Sequence, residues 1–218
     1  MTGRESRFVS RGGEKLDAAL DAFGLDVSGA ACADFGCNVG GFTDCLLRRG
    51  AARVYAVDTG YGALAWTLRT SDRVVVMERT NALRCDVPEP VDLVAIDVAR
   101  TPQALIVPAA ARWLRAPPAG AACIVSLLKP HYELAKMRRG TPRRRLTDAE
   151  AERVCLEVCG RLAEAGCPVT AAMRSHLRGK GGNVEFLLLL DAWNRSTATA
   201  KLPPRGAQRL VDAPPRWE

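Results

Sequence analysis

The sequence predicts an α/β domain in which a mostly parallel seven-stranded sheet carries helices on both faces. Three observations predict it. Apolar runs of strand length alternate with helical patterns from residue 10 to about 191. Some of these runs, such as Leu93-Val94-Ala95-Ile96, are unbroken, as in strands buried on both faces. The first run leads into a glycine turn and a helix start, a combination by which such sheets hold nucleotides.

Taken in order, residues 1–9 form a short basic arm, and 15–23 read as a helix with Leu16, Ala19, Leu20 and Phe23 on one side. Strands are expected at 30–35, 53–58, 74–77, 91–97, 121–129, 169–175 and 184–190. Between them, 42–49, 103–114 and 148–165 read as helices. The last opens with Thr147-Asp148-Ala149-Glu150, a capping-box pattern, and stops at Gly166. Its Val154, Val158 and Leu162 recur every four residues as one apolar stripe. The domain is expected to span 10–193. Beyond it the chain turns to Asn, Ser, Thr, Ala and Pro, and 194–218 is expected to be a flexible tail.

A chain of 218 residues suits one domain with core enough to fold without disulfides. Its net charge of +7, from 31 basic and 24 acidic residues, favours a polyanionic partner. No basic-then-apolar leader opens the chain and no apolar run nears ~20 residues, so a cytoplasmic protein without membrane contact is expected. Eight cysteines contain no Cys-x-x-Cys pair. Cys155 and Cys159 lie four apart on a helix with only His131 and His176 to join them. Buried reduced thiols and no metal are the expectation.

The chemistry concentrates at Asp34-Phe-Gly-Cys-Asn-Val-Gly-Gly-Phe-Thr-Asp44. Gly36, Gly40 and Gly41 would let backbone approach a ligand closely. The spacing Gly-x-x-x-Gly-Gly departs from the Gly-x-Gly-x-x-Gly of pyrophosphate-binding dehydrogenases. A turn headed by an acid, Asp34, suits a ligand with positive charge and no phosphates. S-adenosylmethionine, with its sulfonium and amino group, is such a ligand. Asp58 ends the second strand ~20 residues past the turn, where an acid commonly takes the ribose hydroxyls of an adenosine. Glu78, Arg79, Thr80 and Asn81 follow the third strand and would line the same edge, near the adenine.

Ligands of open parallel sheets sit at the carboxyl ends of the strands. Reading off those ends gives Asp34, Asp58, Asp97, Lys129 and, on the last strand, Glu185. Lys129 closes an apolar strand that Pro130 prevents from continuing. Each taken singly is as readily structural; with the glycine turn they become a candidate site.

These residues carry a resemblance. Phe8-Val-Ser-Arg-Gly-Gly-Glu-Lys-Leu16, Gly40-Gly-Phe-Thr-Asp-Cys-Leu46, Tyr55-Ala-Val-Asp-Thr-Gly-Tyr-Gly62 and Val75-Val-Met-Glu-Arg-Thr-Asn81 resemble the catalytic domain of the TlyA-type branch of FtsJ-like RNA ribose methyltransferases. So do Ile96-Asp-Val98, Lys129-Pro-His-Tyr-Glu133 and Gly182-Asn-Val-Glu-Phe-Leu187, and the order is unbroken from residue 8 to about 191. The resemblance implies a Rossmann-like, S-adenosylmethionine-dependent methyltransferase fold. It implies a catalytic tetrad at Lys15, Asp97, Lys129 and Glu185, and cofactor positions at Gly40, Phe42, Asp58, Asn81 and Asp97. The implied reaction moves a methyl group to a ribose 2′-hydroxyl of RNA, with ribosomal RNA or ribosomal subunits as partner.

The residue types suit that reaction. In-line transfer makes positioning a large part of catalysis. A lysine at its ordinary pKa of ~10.4 is no base; Lys129 could serve as one if burial and Lys15 lowered that value, or could remain charged and stabilise an alkoxide. Asp97 and Glu185 favour the charged form and would orient the lysines. For RNA, Lys136, Arg138, Arg139, Arg143, Arg144 and Arg145 crowd one expected loop after the Lys129 strand, and Arg11, Arg178 and Lys180 add to it.

Three departures from the family pattern stand out. The chain starts at the catalytic entry, so the small RNA-binding domain that usually precedes it is expected to be absent. Cys37-Asn38 replaces small residues, and Ala99-Arg100 replaces a serine and an aromatic. A non-catalytic RNA- or ribosome-binding protein retaining the fold is the alternative. Membrane lysis, a name given to relatives, needs a spanning or strongly amphipathic segment, and the chain offers neither.

Overall fold

The computed structural model describes residues 7–116, 122–137, 145–179 and 181–191, and the backbone of 210–211. The elements run α1 (Arg11–Phe23), β1 (Ala31–Phe35), α2 (Gly41–Arg48), β2 (Arg53–Val57), α3 (Trp66–Arg69), β3 (Val74–Met77), β4 (Leu93–Ile96) and α4 (Gln103–Ala111). They continue with β5 (Cys123–Leu128), α5 (Pro130–Met137), α6 (Asp148–Glu164), β6 (Ala171–Arg174), β7 (Phe186–Asp191) and β8 (Leu210–Val211). The sheet order is β3-β2-β1-β4-β5-β7-β6-β8. β1 to β5 pair in parallel, while β7 runs antiparallel to both β5 and β6.

Caps set the helix ends. Ser10 accepts the Gly12 N–H at the start of α1, and Gly24 closes it in the left-handed region. Thr147 and Glu150 form the expected capping box on α6. The sheet parts two apolar layers by the period-2 rule. Phe35, Ile96 and Leu128 face Ile106 and Trp113 beside α4 and Val154, Val158 and Leu162 of α6. Cys32, Ala95 and Leu127 face Leu16 and Leu20 of α1 and Phe42 and Leu46 of α2. Leu16 and Leu20 are essentially fully buried, worth roughly 1.5–3 kcal/mol each.

Two features differ from the expectation. The segment after Lys129 is helix α5, not a loop, because proline suits a first helical turn, where its missing N–H is not needed. Lys136 therefore sits on a helix; Arg138, Arg139, Arg143, Arg144 and Lys180 lie outside the described residues. An eighth strand, Leu210–Val211, pairs with β6 inside the segment expected to be a tail. All eight cysteines are free, and all but Cys85 are buried. Among the described residues no helix is long and apolar enough to cross a membrane, and no group of three potential ligands could hold a metal.

Candidate active site

The carboxyl ends of β1, β2 and β4 open onto a cleft of about 430 Å³, bordered by Gly36, Asn38, Asp58, Asn81, Asp97 and the loop 98–101. That is the size of a small-molecule site. Asp58 braces it: one carboxylate oxygen accepts the Asn38 N–H at 2.9 Å and the other the Gly60 N–H at 2.7 Å. Asn38 takes φ 47°, a left-handed position that asparagine tolerates. At Gly36 a Cβ would meet the Asp97 carbonyl oxygen at 2.6 Å, so its bareness lets the tips of β1 and β4 close together. Asn81 borders the cleft and turns its side-chain oxygen to the Leu83 N–H at 3.0 Å. Glu78 lies outside the border of the cleft, and its Oε1 accepts from Arg69 at 2.5 Å and from the Gly62 N–H.

The other residues assigned to the cofactor do not border the cleft. A Cβ on Gly40 would stand 2.3 Å from Leu68 Cδ1, and one on Gly41 2.1 Å from Ser10 Oγ. Packing of α3 and α1 against the turn occupies that space. The Phe42 side chain is buried in the layer beneath α1 and α2. Asp34 is fully buried, and one of its oxygens accepts both the N–H and the hydroxyl of Thr43, at 2.9 and 2.7 Å. It thereby fastens the first turn of α2. Its Oδ1 has no partner among the described residues, and burial pushes its pKa up to about 7.

Next to the cleft the four residues expected to form a tetrad make two ion pairs. Lys15 Nζ stands 2.5 Å from Glu185 Oε2, with side chains 11% and 3% exposed. Lys129 Nζ donates to Asp97 Oδ1 and lies 3.4 Å from the Val98 carbonyl. Strand alternation explains why they meet. Ala95, Leu127 and Leu187 point to the α1 layer, so Asp97, Lys129 and Glu185, two residues away along each strand, continue on that face. Glu185 precedes β7, and in an all-parallel sheet that end would be the wrong one. The antiparallel direction of β7 brings it round: Leu128 pairs with Phe186, so the next step outward sets Lys129 opposite Glu185. Lys15 reaches the same spot from α1. Each cation is matched by one anion, which a partly dry site requires. Sequence reasoning missed Gly179, where a Cβ would fall 2.0 Å from Glu185 Oε1; a glycine six residues before the acid was the available signal.

The described basic residues divide. Arg11 donates to the Arg178 carbonyl at 3.1 Å, and Arg145 lies against Gly182, so Arg11, Arg145 and Arg178 gather on the loop leading to Glu185. The Arg178 guanidinium binds Asp148 and the Gly182 carbonyl. With Arg174 it holds the Asp148 carboxyl down at about 2. A phosphate would have to compete with Asp148 for Arg178. Lys136 stands apart with Arg161 at a hollow among α4, α5 and α6.

Known proteins place this arrangement. The FtsJ-like methyltransferase model matches residues 8–192. The chain is 41% identical over 216 residues to 16S/23S rRNA (cytidine-2′-O)-methyltransferase TlyA of Mycobacterium tuberculosis, covering 97% of this chain and 77% of that protein. It is 37% identical to YqxC of Bacillus subtilis, provisionally named an rRNA methyltransferase, over 97% of this chain and 75% of that one. A solved structure from Streptococcus thermophilus with a provisional hemolysin name superposes with TM-score 0.78 at 35% identity, covering 88% of this chain and 70% of that one. With Asp58 and Asp97 bordering a cleft of suitable size beside paired lysines, the chain belongs to the FtsJ-like methyltransferase family and is an S-adenosylmethionine-dependent methyltransferase.

Proposed function

We propose that this enzyme methylates a ribose 2′-hydroxyl of RNA, that the RNA is ribosomal, and that it works in the cytoplasm. The observation that carries the reading is the meeting of the Lys15–Glu185 and Lys129–Asp97 pairs at the edge of the cofactor cleft. Names of relatives support the substrate: the Mycobacterium tuberculosis protein is an rRNA cytidine-2′-O-methyltransferase. The net charge of +7 suits a polyanion.

S-adenosylmethionine supplies an activated methyl group on a sulfonium. Asp58 would take the ribose hydroxyls of the donor, and Asp97 sits where the cleft meets Lys129. Lys129, oriented by Asp97, would hold the attacking oxygen of the RNA ribose in line. As an ammonium it stabilises the charge developing on that oxygen; as an amine it takes the proton. A kcat independent of pH between 6 and 9 supports the first role, and a kcat rising with pH the second. Lys15 and Glu185 fix the wall of the acceptor site, with Gly179 against the carboxylate. Arg11 and Arg145, which gather beside the loop leading to Glu185, would meet the RNA backbone.

The test is transfer of tritiated methyl from S-adenosylmethionine into total RNA and into isolated ribosomal subunits, with wild type beside Lys129→Ala. Label that appears only with wild type, at a linkage resistant to alkali, supports ribose methylation. Cofactor binding without label in any RNA would point to the RNA-binding alternative, and label in alkali-sensitive RNA to a base as acceptor.

A further inference from the structure

We propose that Gln103 is a positioning residue for methyl transfer, clamping the loop that carries Asp97 onto the strand–helix unit that carries Lys129. Helix α4 reads Gln-Ala-Leu-Ile-Val-Pro-Ala-Ala-Ala, and Gln103 is its one polar side chain. It is 2% exposed. Burying an amide there costs more than burying leucine unless its groups are bonded. They are. The backbone N–H of Gln103 donates to Glu133 Oε1 at 2.7 Å. Its side-chain oxygen accepts the Ser126 hydroxyl at 2.6 Å, and its amide nitrogen reaches the Leu127 carbonyl at 3.5 Å. Ser126 is fully buried and Glu133 nearly so.

The location of these partners gives the cluster its meaning. Ser126 and Leu127 lie just before Lys129 on β5, and Glu133 lies one helical turn after it on α5. The loop between β4 and α4 begins at Asp97, borders the cofactor cleft through Val98, Ala99, Arg100 and Thr101, and ends at Gln103. At its start Lys129 holds Asp97 and reaches the Val98 carbonyl. At its end Gln103 holds to both sides of Lys129. The loop is thus fastened twice to one rigid unit, and the second fastening fixes where Asp97 and the cleft wall stand relative to Lys129. Polar networks of this kind specify one arrangement where apolar packing would accept several.

The proposal rests on Lys129 and Asp97 serving the reaction, and its test separates the two. Gln103→Met keeps the volume and removes both side-chain bonds; Ser126→Ala removes one. Glu133→Gln keeps an acceptor for the Gln103 N–H, whereas Glu133→Leu does not. Each variant is measured for thermal midpoint, for S-adenosylhomocysteine affinity by calorimetry, and for methyl transfer to RNA at saturating cofactor. Gln103→Met is expected to lower kcat about 10- to 100-fold, as small misplacements do, with KM for RNA unchanged. Glu133→Leu should share that loss and Glu133→Gln should escape it. A wild-type kcat in Gln103→Met overturns the clamp whatever its thermal midpoint, and so does equal damage from both Glu133 variants. If Gln103→Met does not fold, Ser126→Ala and the Glu133 pair decide by the same criteria. Should wild type transfer no methyl to RNA, the ribose reading fails by itself, and cofactor affinity decides the clamp. A loss of about fivefold, the worth of one hydrogen bond, then supports it, and unchanged affinity overturns it.

Discussion

The crest of the sheet has two halves built on different principles. On the β1–β2 side, carboxylates are fixed mainly by backbone N–H groups within 20 residues along the chain: Asp58 by Asn38 and Gly60, and Asp34 by Thr43, whose hydroxyl adds a second bond. On the β5–β7 side, side chains hold side chains across long separations, 170 residues for Lys15–Glu185 and 32 for Lys129–Asp97. The first half is a local device that a turn and two strand tips can form. The second exists only when α1, β4, β5 and β7 have all come together. Damage to the first should weaken cofactor binding and spare the fold, whereas damage to the second should remove chemistry, stability or both.

The largest effect that would sharpen this contrast is Lys129→Ala. We expect methyl transfer to fall by about 10³-fold or more, with S-adenosylhomocysteine affinity little changed, since the charge it supplies acts in the transition state. Equal losses in affinity and rate would erase the distinction between the halves. Next comes Glu185→Ala, which leaves the ammonium of Lys15, a side chain only 11% exposed in the intact pair, without its partner. Breaking such a buried pair costs about 3–5 kcal/mol. The double variant Lys15→Met/Glu185→Leu should recover most of that stability and none of the activity, as urea titration and the tritium assay would show. If the double variant remains as unstable as the single one, the loss comes from packing against Gly179 and not from the stranded charge.

The same contrast governs how much the sequence revealed. The glycine turn, Asp58 and the strand tips were legible because each is written in ten or twenty consecutive residues. At Gly40 and Gly41 glycine also answers to packing, and nothing local says that Leu68 and Ser10 fill the space a Cβ would take. The four residues of the two ion pairs were named through family motifs, and strand ends alone pointed to three of them, Asp97, Lys129 and Glu185. Lys15 taken alone reads as an ordinary helix lysine; the resemblance brought it to the site, and its partner Glu185 lies 170 residues away. The parity and direction of β7, which place Glu185, depend on pairing with β5 and leave no local mark. Arg178 was named as an RNA-binding candidate, and its pairing with Asp148, 30 residues away in the chain, leaves no local mark.

In the cofactor half, Asp58→Ala removes the brace between Asn38 and Gly60 together with the proposed ribose acceptor. Affinity for S-adenosylhomocysteine should fall about 10- to 100-fold, the scale of one hydrogen bond to a charged group. The thermal midpoint of the ligand-free protein should move by only a few degrees. A large loss of stability with wild-type affinity would show that Asp58 serves the fold and not the ligand.

The smallest effect concerns Asp34, which belongs to the local half yet is as buried as any group in the other. Its folded pKa of about 7 lies above the ordinary carboxylate value of 3.8, with burial as the leading cause. The native state therefore holds this proton more tightly than the unfolded chain does. The stability so gained is full below pH ~3.8 and is lost as pH rises through about 7. Asp34→Asn has no proton to lose, so its stability relative to wild type should climb between pH 4 and 7 and level off above. The shift bounds that climb at about 4 kcal/mol. Placing an amide N–H₂ where Oδ1 now has no partner costs about 1–3 kcal/mol at every pH. The net difference at neutral pH should thus be about 1–3 kcal/mol in favour of the variant, and the slope is the informative quantity. Parallel denaturation curves for the two proteins across that range would mean that Asp34 titrates as an ordinary carboxylate, and that the anchor of α2 is charged at neutral pH.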